Sequence, residues 1–304
     1  MLTDDSVVYV QLHIPKTAGT AFQNQIGSAY NKQDDNCWQH YHWEEASSPW
    51  IYNATDIPLL INRTKEQQRQ IKVISGHSTF CNTHRWLKIS REPRHITFVR
   101  DPIKRILSSF NHRHARSILM QDNSIFSTDP VMNTNAYANK TTADDYHTLY
   151  EFYKDAYVEH NMQTKWIIKS FLRWQHGNWQ PHPTYDGMLN GSDYIPLETV
   201  PPQIPEWFWL NNDYDYWNVA NMFMSHFWWI SADESQTQNI KDFCKFIDIK
   251  HYNHVHENKT GDKVAPYWTI DDVMKQPDIE NLIKAEIHDY SLFNYVKENC
   301  RRPF

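Results

Sequence analysis

Apolar residues in this chain gather into short unbroken runs separated by longer amphipathic stretches. Val7-Val8-Tyr9-Val10 is the first such run, and it reads as a buried strand. Phe22, Ile26 and Tyr30 follow four residues apart, which is helical spacing. Residues 71–75 predict a second strand that ends at Gly76-His77, and residues 95–99 a third that ends at Arg100-Asp101-Pro102. Pro102 suits the first turn of a helix. Behind it Ile103, Ile106, Leu107 and Phe110 mark one buried face. Residues 144–172 read as helical in two pieces, 227–230 as another buried strand, and 235–246 as a helix. Ile279, Leu282, Ile283, Ile287, Tyr290 and Phe293 predict one closing amphipathic helix. Strands alternating with helices imply an α/β fold: a central parallel sheet flanked by helices, with chemistry at the carboxyl ends of the strands.

The stretches between carry weaker patterns. Residues 31–70 are polar and aromatic without a clear period and read as loops with short helices. Residues 120–143 are rich in Asn, Thr, Ser and Asp, residues 176–205 hold six of the fifteen prolines, and 251–267 form a polar loop. At 304 residues the expectation is one domain, 1–304, with irregular insertions at about 31–70, 120–143 and 176–225. A net charge of −6 argues against a nucleic-acid binder. The start of the chain has no basic segment and nowhere do apolar residues run long enough to span a bilayer, so no signal peptide or membrane anchor is visible. Sequons at Asn53, Asn62, Asn139, Asn190 and Asn258 would matter only in a secretory compartment. Cys37, Cys81, Cys244 and Cys300 lack metal-site spacing. Two disulfides and four buried thiols are equally compatible with them.

Candidate chemistry begins at His13-Ile14-Pro15-Lys16-Thr17-Ala18-Gly19-Thr20, between the first strand and the first helix. Strand, turn, helix gathers free backbone N–H groups and a positive helix end at one point, which binds an anion. Lys16 adds a full charge, and Thr17 and Thr20 add hydroxyls. The order is not that of a Walker A loop, whose glycines precede the lysine; here Gly19 follows it. The second signal is Arg100-Asp101-Pro102-Ile103-Lys104-Arg105-Ile106-Leu107-Ser108. A strand-end arginine offers a planar fork suited to phosphate, and Ser108 lies about two helical turns on, able to approach the same face.

The loop Pro-Lys-Thr-Ala-Gly-Thr resembles the 5′-phosphosulfate loop of sulfotransferases that use 3′-phosphoadenosine 5′-phosphosulfate. Together with R-D-P-x-x-R-x-x-S, it makes the chain resemble the Golgi-type carbohydrate sulfotransferases, nearest to the heparan sulfate and uronyl 2-O-sulfotransferases. Asn161-Met162-Gln163-Thr164-Lys165, the run 229–235 and Asn258-Lys259-Thr260-Gly261-Asp262-Lys263 resemble further segments of that family. The resemblance implies a P-loop-NTPase-like sulfotransferase fold, with Lys16, Thr17, Ala18, Gly19, Thr20 and Ala21 around the 5′-phosphosulfate. It also implies Arg100 and Ser108 on the 3′-phosphate, and Lys259, Thr260 and Lys263 on a basic loop over the nucleotide. No metal is required by it. The implied acceptor is a carbohydrate hydroxyl, with an anionic polysaccharide among the candidates, and the implied location is the Golgi lumen. It leaves the acceptor sugar and the oligomeric state open.

Lys16 is the natural stabiliser of the leaving oxygen in such a transfer. His77, emerging after a strand at the same sheet edge, is the candidate general base; His13 is expected to face the core or orient the loop. The pattern His251-x-x-His254-x-His256 could bind a metal but has no strong carboxylate partner beyond Glu257. Trp228 and Trp229 read as core, Trp207 and Trp209 as surface candidates for stacking on sugar rings. Arg94, Arg100, Lys104, Arg105, Arg113 and Arg116 form a basic cluster that either attracts an anion or is one charged helix face. Two other classes compete with the enzyme reading: a P-loop-like nucleotide kinase or NTPase, and a non-catalytic glycan-binding relative.

Overall fold

The computed structural model of this protein describes residues 6–19, 21–22, 38–41, 64–76, 79, 81, 84, 89–121, 145–155, 160–175, 215–232, 236–247 and 266–299. Strand β1, Val7–Leu12, is buried at every position. A strand covered on both sides needs apolar side chains on both, so its sequence shows a run rather than an alternation. It is followed by β2, Trp38–Tyr41, helix α1, Lys65–Gln70, β3, Val73–Gly76, and β4, Glu92–Phe98. With β5, Phe227–Ser231, these form a five-stranded sheet in the order β2-β3-β1-β4-β5. Every neighbouring pair is parallel.

That order sets the position of the crevice. From β1 the chain runs to β2, beyond β3, whereas from β4 it runs to β5 on the other side. Adjacent strands β1 and β4 send their chains in opposite directions, and an open α/β sheet leaves its binding cleft above such a pair. Their carboxyl ends are in register, Leu12 beside Thr97, and Gly76 of β3 stands on the other side of Leu12.

The helices are α2, Pro102–Gln121, α3, Leu149–Asp155, α4, Met162–Gln175, and α5, Tyr216–Asn221. Then come α6, Gln236–Phe246, α7, Ile270–Val273, α8, Ile279–Ala285, and α9, Ile287–Asn299. One core cluster packs Tyr9, Ile96, Phe98 and Trp229 of the sheet against Phe22 and against Ile240 and Phe243 of α6. A second joins Leu12, Val99 and Ile230 to Trp166 and Ile167 of α4, Tyr216 and Ala220 of α5, and Leu292 and Val296 of α9. A third seats the predicted α2 face, Ile103, Ile106, Leu107 and Phe110, on Leu149, Phe152, Val273 and Leu282.

Three features depart from the sequence reading. β2 lies where only loops and short helices are expected; at 4 residues it is too short for a periodic signal to register. The single closing helix is two, α8 and α9, separated at Glu286. Trp228 and Trp229 do not share one environment, because β5 carries a bulge. Phe227 pairs with His95 while Trp229 pairs with Ile96, so Trp228 is the extra residue. Trp229 is fully buried and Trp228 only partly so. Cys81 and Cys244 are free buried thiols, so the arrangement with two disulfides is not what the fold holds. Among the described residues no helix is long and apolar enough to cross a membrane.

Phe243 is the hub of the first cluster. Its ring stacks on Trp229 at 5.2 Å between centroids and meets Tyr9 and Phe22 each at 5.3 Å. Phe243→Ala is expected to cost about 3–5 kcal/mol, measured as a lower urea midpoint with an unchanged m-value.

Candidate functional site

The ends of β1 and β4 are fastened together before their loops diverge: Thr97 Oγ1 donates to the Leu12 carbonyl at 2.8 Å. Beyond Leu12 the chain turns sharply, with Lys16 at φ 67° and Ala18 at φ 71°. Left-handed backbone at non-glycine residues persists only where the surroundings fix it. Two contacts fix it here. Thr17, 1% exposed, donates its hydroxyl to the Ile14 carbonyl at 2.8 Å. His13, 2% exposed, lies directly beneath Gly19, where an added Cβ would stand 1.8 Å from His13 Cδ2. Only glycine fits over that ring. His13 thus packs under the loop at Gly19.

A helical turn opens at Gly19, and Phe22 N donates to Ala18 O at 3.1 Å. A tight turn with left-handed residues at a helix start is the backbone form of an anion-binding concavity. Within it the Thr17 hydroxyl proton is committed to Ile14, so this residue holds the turn, and the Ala21 side chain is buried in the core. The Lys16 side chain is only partly buried.

The second loop is organised by Asp101 and Pro102. The last ladder bond of this edge runs from Val99 N to Ser231 O at 2.8 Å. Asp101 Oδ1 accepts from Lys104 N at 3.0 Å, an N-cap followed by proline at the first helical position. The protein's own carboxylate therefore occupies this helix start, one residue after Arg100. Arg100 Nη1 donates to the Lys16 carbonyl at 3.3 Å across 84 residues of chain. The two signals of the sequence thus meet in one place. Ser108 lies further along α2, partly exposed.

Sequence reasoning singled out residues 161–165 without a role for any of them. The fold supplies the roles. Gln163, fully buried, uses its side-chain amide on both main-chain groups of Arg100: Arg100 N donates to Oε1 and Nε2 donates to Arg100 O, each at 2.8 Å. Asp289 of α9 accepts from Gln163 N at 2.9 Å and Thr164 N at 2.8 Å, capping α4. In return Asn161, at φ 46°, accepts from His288 N at 3.1 Å and Asp289 N at 3.2 Å, capping α9. Asn161 N donates to Glu286 Oε1 at 2.6 Å, where α8 breaks from α9. Buried ionisable side chains share this region, among them Arg105, Tyr153, Lys165, Glu286 and Asp289. Burial, then the neighbouring Asp289, raises the Glu286 carboxyl well above its usual range, against the pull of Arg105. Lys165 Nζ sits 4.8 Å from the Tyr216 ring centroid.

The basic cluster does not act as one face. Arg105 is wholly buried, Arg94 lies over Trp228 at 5.3 Å, and Arg113 over Phe152 at 5.0 Å. His77, Thr20, Lys259, Thr260 and Lys263 lie outside the described residues, as do Trp207, Trp209 and the histidines at 251, 254 and 256. Among the described residues no group of His, Cys, Asp and Glu is arranged to hold a metal ion.

The family model described as the sulfotransferase family matches residues 1–184 of the chain. That span includes Lys16, Arg100 and Gln163. No curated protein matches the chain.

Gly19→Ala is expected to destabilise the protein by about 1–3 kcal/mol through overpacking. Adding His13→Ala should return part of that loss in urea unfolding, because it removes the atoms the new methyl meets. A second outcome concerns pH. Burial lowers Lys165 to about 8, against the raising effect of Glu286 and Asp289, whereas an unfolded lysine titrates near about 10.4. Between those values the unfolded chain binds a proton that the folded one has released, so this group makes stability rise with pH. The unfolding free energy of wild type relative to Lys165→Met should therefore climb above about pH 8.

Proposed function

The chain belongs to the sulfotransferase family, and on that premise we propose that it moves a sulfuryl group from 3′-phosphoadenosine 5′-phosphosulfate to a carbohydrate hydroxyl. Sulfuryl transfer follows from the family, whose members generally take sulfate from this donor. The carbohydrate acceptor rests on the likeness to the heparan sulfate and uronyl 2-O-sulfotransferases. The observation that carries the reading is the hydrogen bond from Arg100 to the Lys16 carbonyl. It draws two cationic segments into one crevice, as a nucleotide with charge at both its 5′ and 3′ positions requires.

The residues fit that donor by chemistry. The left-handed turn at Lys16 and Ala18 suits the 5′ group. Arg100, with Ser108 further along α2, suits the 3′-phosphate. Bound there, the donor supplies an activated sulfuryl group and a phosphate leaving group. In such a transfer the barrier falls through positioning and charge stabilisation rather than through new bonds to the protein. Lys16 places an ammonium where negative charge develops on the departing oxygen. His77 takes the proton of the acceptor hydroxyl. What supports this is that β3 ends at Gly76, in register with Leu12, four residues before Lys16. Lys259, Thr260 and Lys263 complete the nucleotide site on resemblance, and the domain extends over 1–304. The Golgi lumen is the location that the same likeness suggests.

Incubation with labelled donor and a panel of glycans, with no added Mg²⁺, tests the reading. Label should enter at least one glycan. Lys16→Ala should lower kcat by about a hundredfold or more. Arg100→Ala should chiefly weaken binding of 3′-phosphoadenosine 5′-phosphate. His77→Ala should lower turnover by about a hundredfold; near wild-type turnover at neutral pH would remove His77 as the base. Nucleotide binding without transfer to any glycan would point instead to a binding protein.

A further inference from the structure

We infer that Gln163 is a positioning residue for nucleotide binding, acting through the main chain of Arg100. The inference rests on Lys16 and Arg100 as the nucleotide site proposed above. Arg100 stands in the gap between two regular elements. The strand ladder ends at Val99, whose N–H goes to Ser231, and α2 begins at Pro102. The peptide groups of Arg100 thus stand between the strand ladder and the first turn of α2, where a side chain that bonds both of them fixes the backbone.

Gln163 answers this with one side chain. A primary amide has the donor and acceptor arrangement of a peptide group, and this one bonds both Arg100 N and Arg100 O at 2.8 Å. It acts as one residue of an added strand would. Among side chains of this size only glutamine offers both functions: glutamate lacks the donor, and methionine or leucine lacks both. The amide is itself held, since Gln163 N donates to Asp289 Oδ2 at 2.9 Å. Arg100 in turn donates from Nη1 to the Lys16 carbonyl at 3.3 Å. An unbroken line of hydrogen bonds therefore runs from α9, through α4 and the strand end, to the loop that carries Lys16. Nothing in it relies on Gln163 touching a ligand.

The test is a double-mutant cycle read by calorimetric titration of the full chain with 3′-phosphoadenosine 5′-phosphate. Gln163→Met should weaken binding about tenfold in the Arg100 background and less than about twofold in the Arg100→Ala background. A merely structural residue would cost the same factor in both. Equal losses, or wild-type affinity in Gln163→Met, would overturn the inference. If Gln163→Met does not fold, Gln163→Glu serves in the same cycle, with its carboxylate set against the Arg100 carbonyl. If Arg100→Ala binds too weakly to read, amide hydrogen exchange decides. Gln163→Met should speed exchange in 99–101 and in 13–18 by about tenfold and leave 240–247 unchanged. Unchanged exchange in 13–18 would overturn the inference. Failure of the wild-type chain to bind the nucleotide would overturn the site reading, and the inference with it. Loss of coupling alone overturns only the role of Gln163.

Discussion

Two parallel strands ending side by side are the constraint on which this molecule depends. β1 and β4 finish in register, Leu12 beside Thr97, and the Thr97 hydroxyl seals them at the last carbonyl of β1. The sheet sends its chain outward in opposite directions from these strands. The loops that rise there can face one another, and the contact from Arg100 to Lys16 is the outcome. Without the shared register the lysine turn and the arginine turn would stand at different heights and could not make this contact.

The turns themselves store conformations that isolated loops would not keep. Left-handed backbone at Lys16 and Ala18 costs on the order of 1–3 kcal/mol per residue. The buried Thr17 hydroxyl and the close fit of His13 under Gly19 hold it. On the other strand, Asp101 satisfies the start of α2 and Gln163 satisfies the main chain of Arg100. In both places buried groups fix the backbone at a partly exposed cationic residue.

Polar residues also decide how the C-terminal helices join the sheet. Asn161 caps α9 and Asp289 caps α4, so each helix start is closed by a residue from the other. Reciprocal caps of this kind specify one relative placement, since either helix displaced leaves buried N–H groups unpaired. The ionisable side chains packed around them, Arg105, Tyr153, Lys165, Glu286 and Asp289 among them, are buried together. Removal of any one leaves its partners in a medium that penalises unpaired charge.

Much of this was legible in the chain itself. Short runs rich in apolar residues marked β1, β3, β4 and β5, because strands covered on both faces leave few polar positions in their buried stretches. Pro102 and the spacing of Ile103, Ile106, Leu107 and Phe110 marked α2 and its buried face. The reading of Lys16, Gly19, Arg100 and Ser108 as an anion site came from two short motifs, and the fold brings the Lys16 and Arg100 segments into contact. Other features depended on partners distant in sequence. β2 gained its strand from pairing with β3, and the break at Glu286 belongs to Asn161. Arg105 could not be told from a surface arginine until the helices closed over it. Gln163 stood in a recognised segment, yet its task exists only because β4 ends where α4 begins its first turn. Local periodicity and short motifs are written along the chain; which buried amide meets which peptide is settled only when segments 63 residues apart come together.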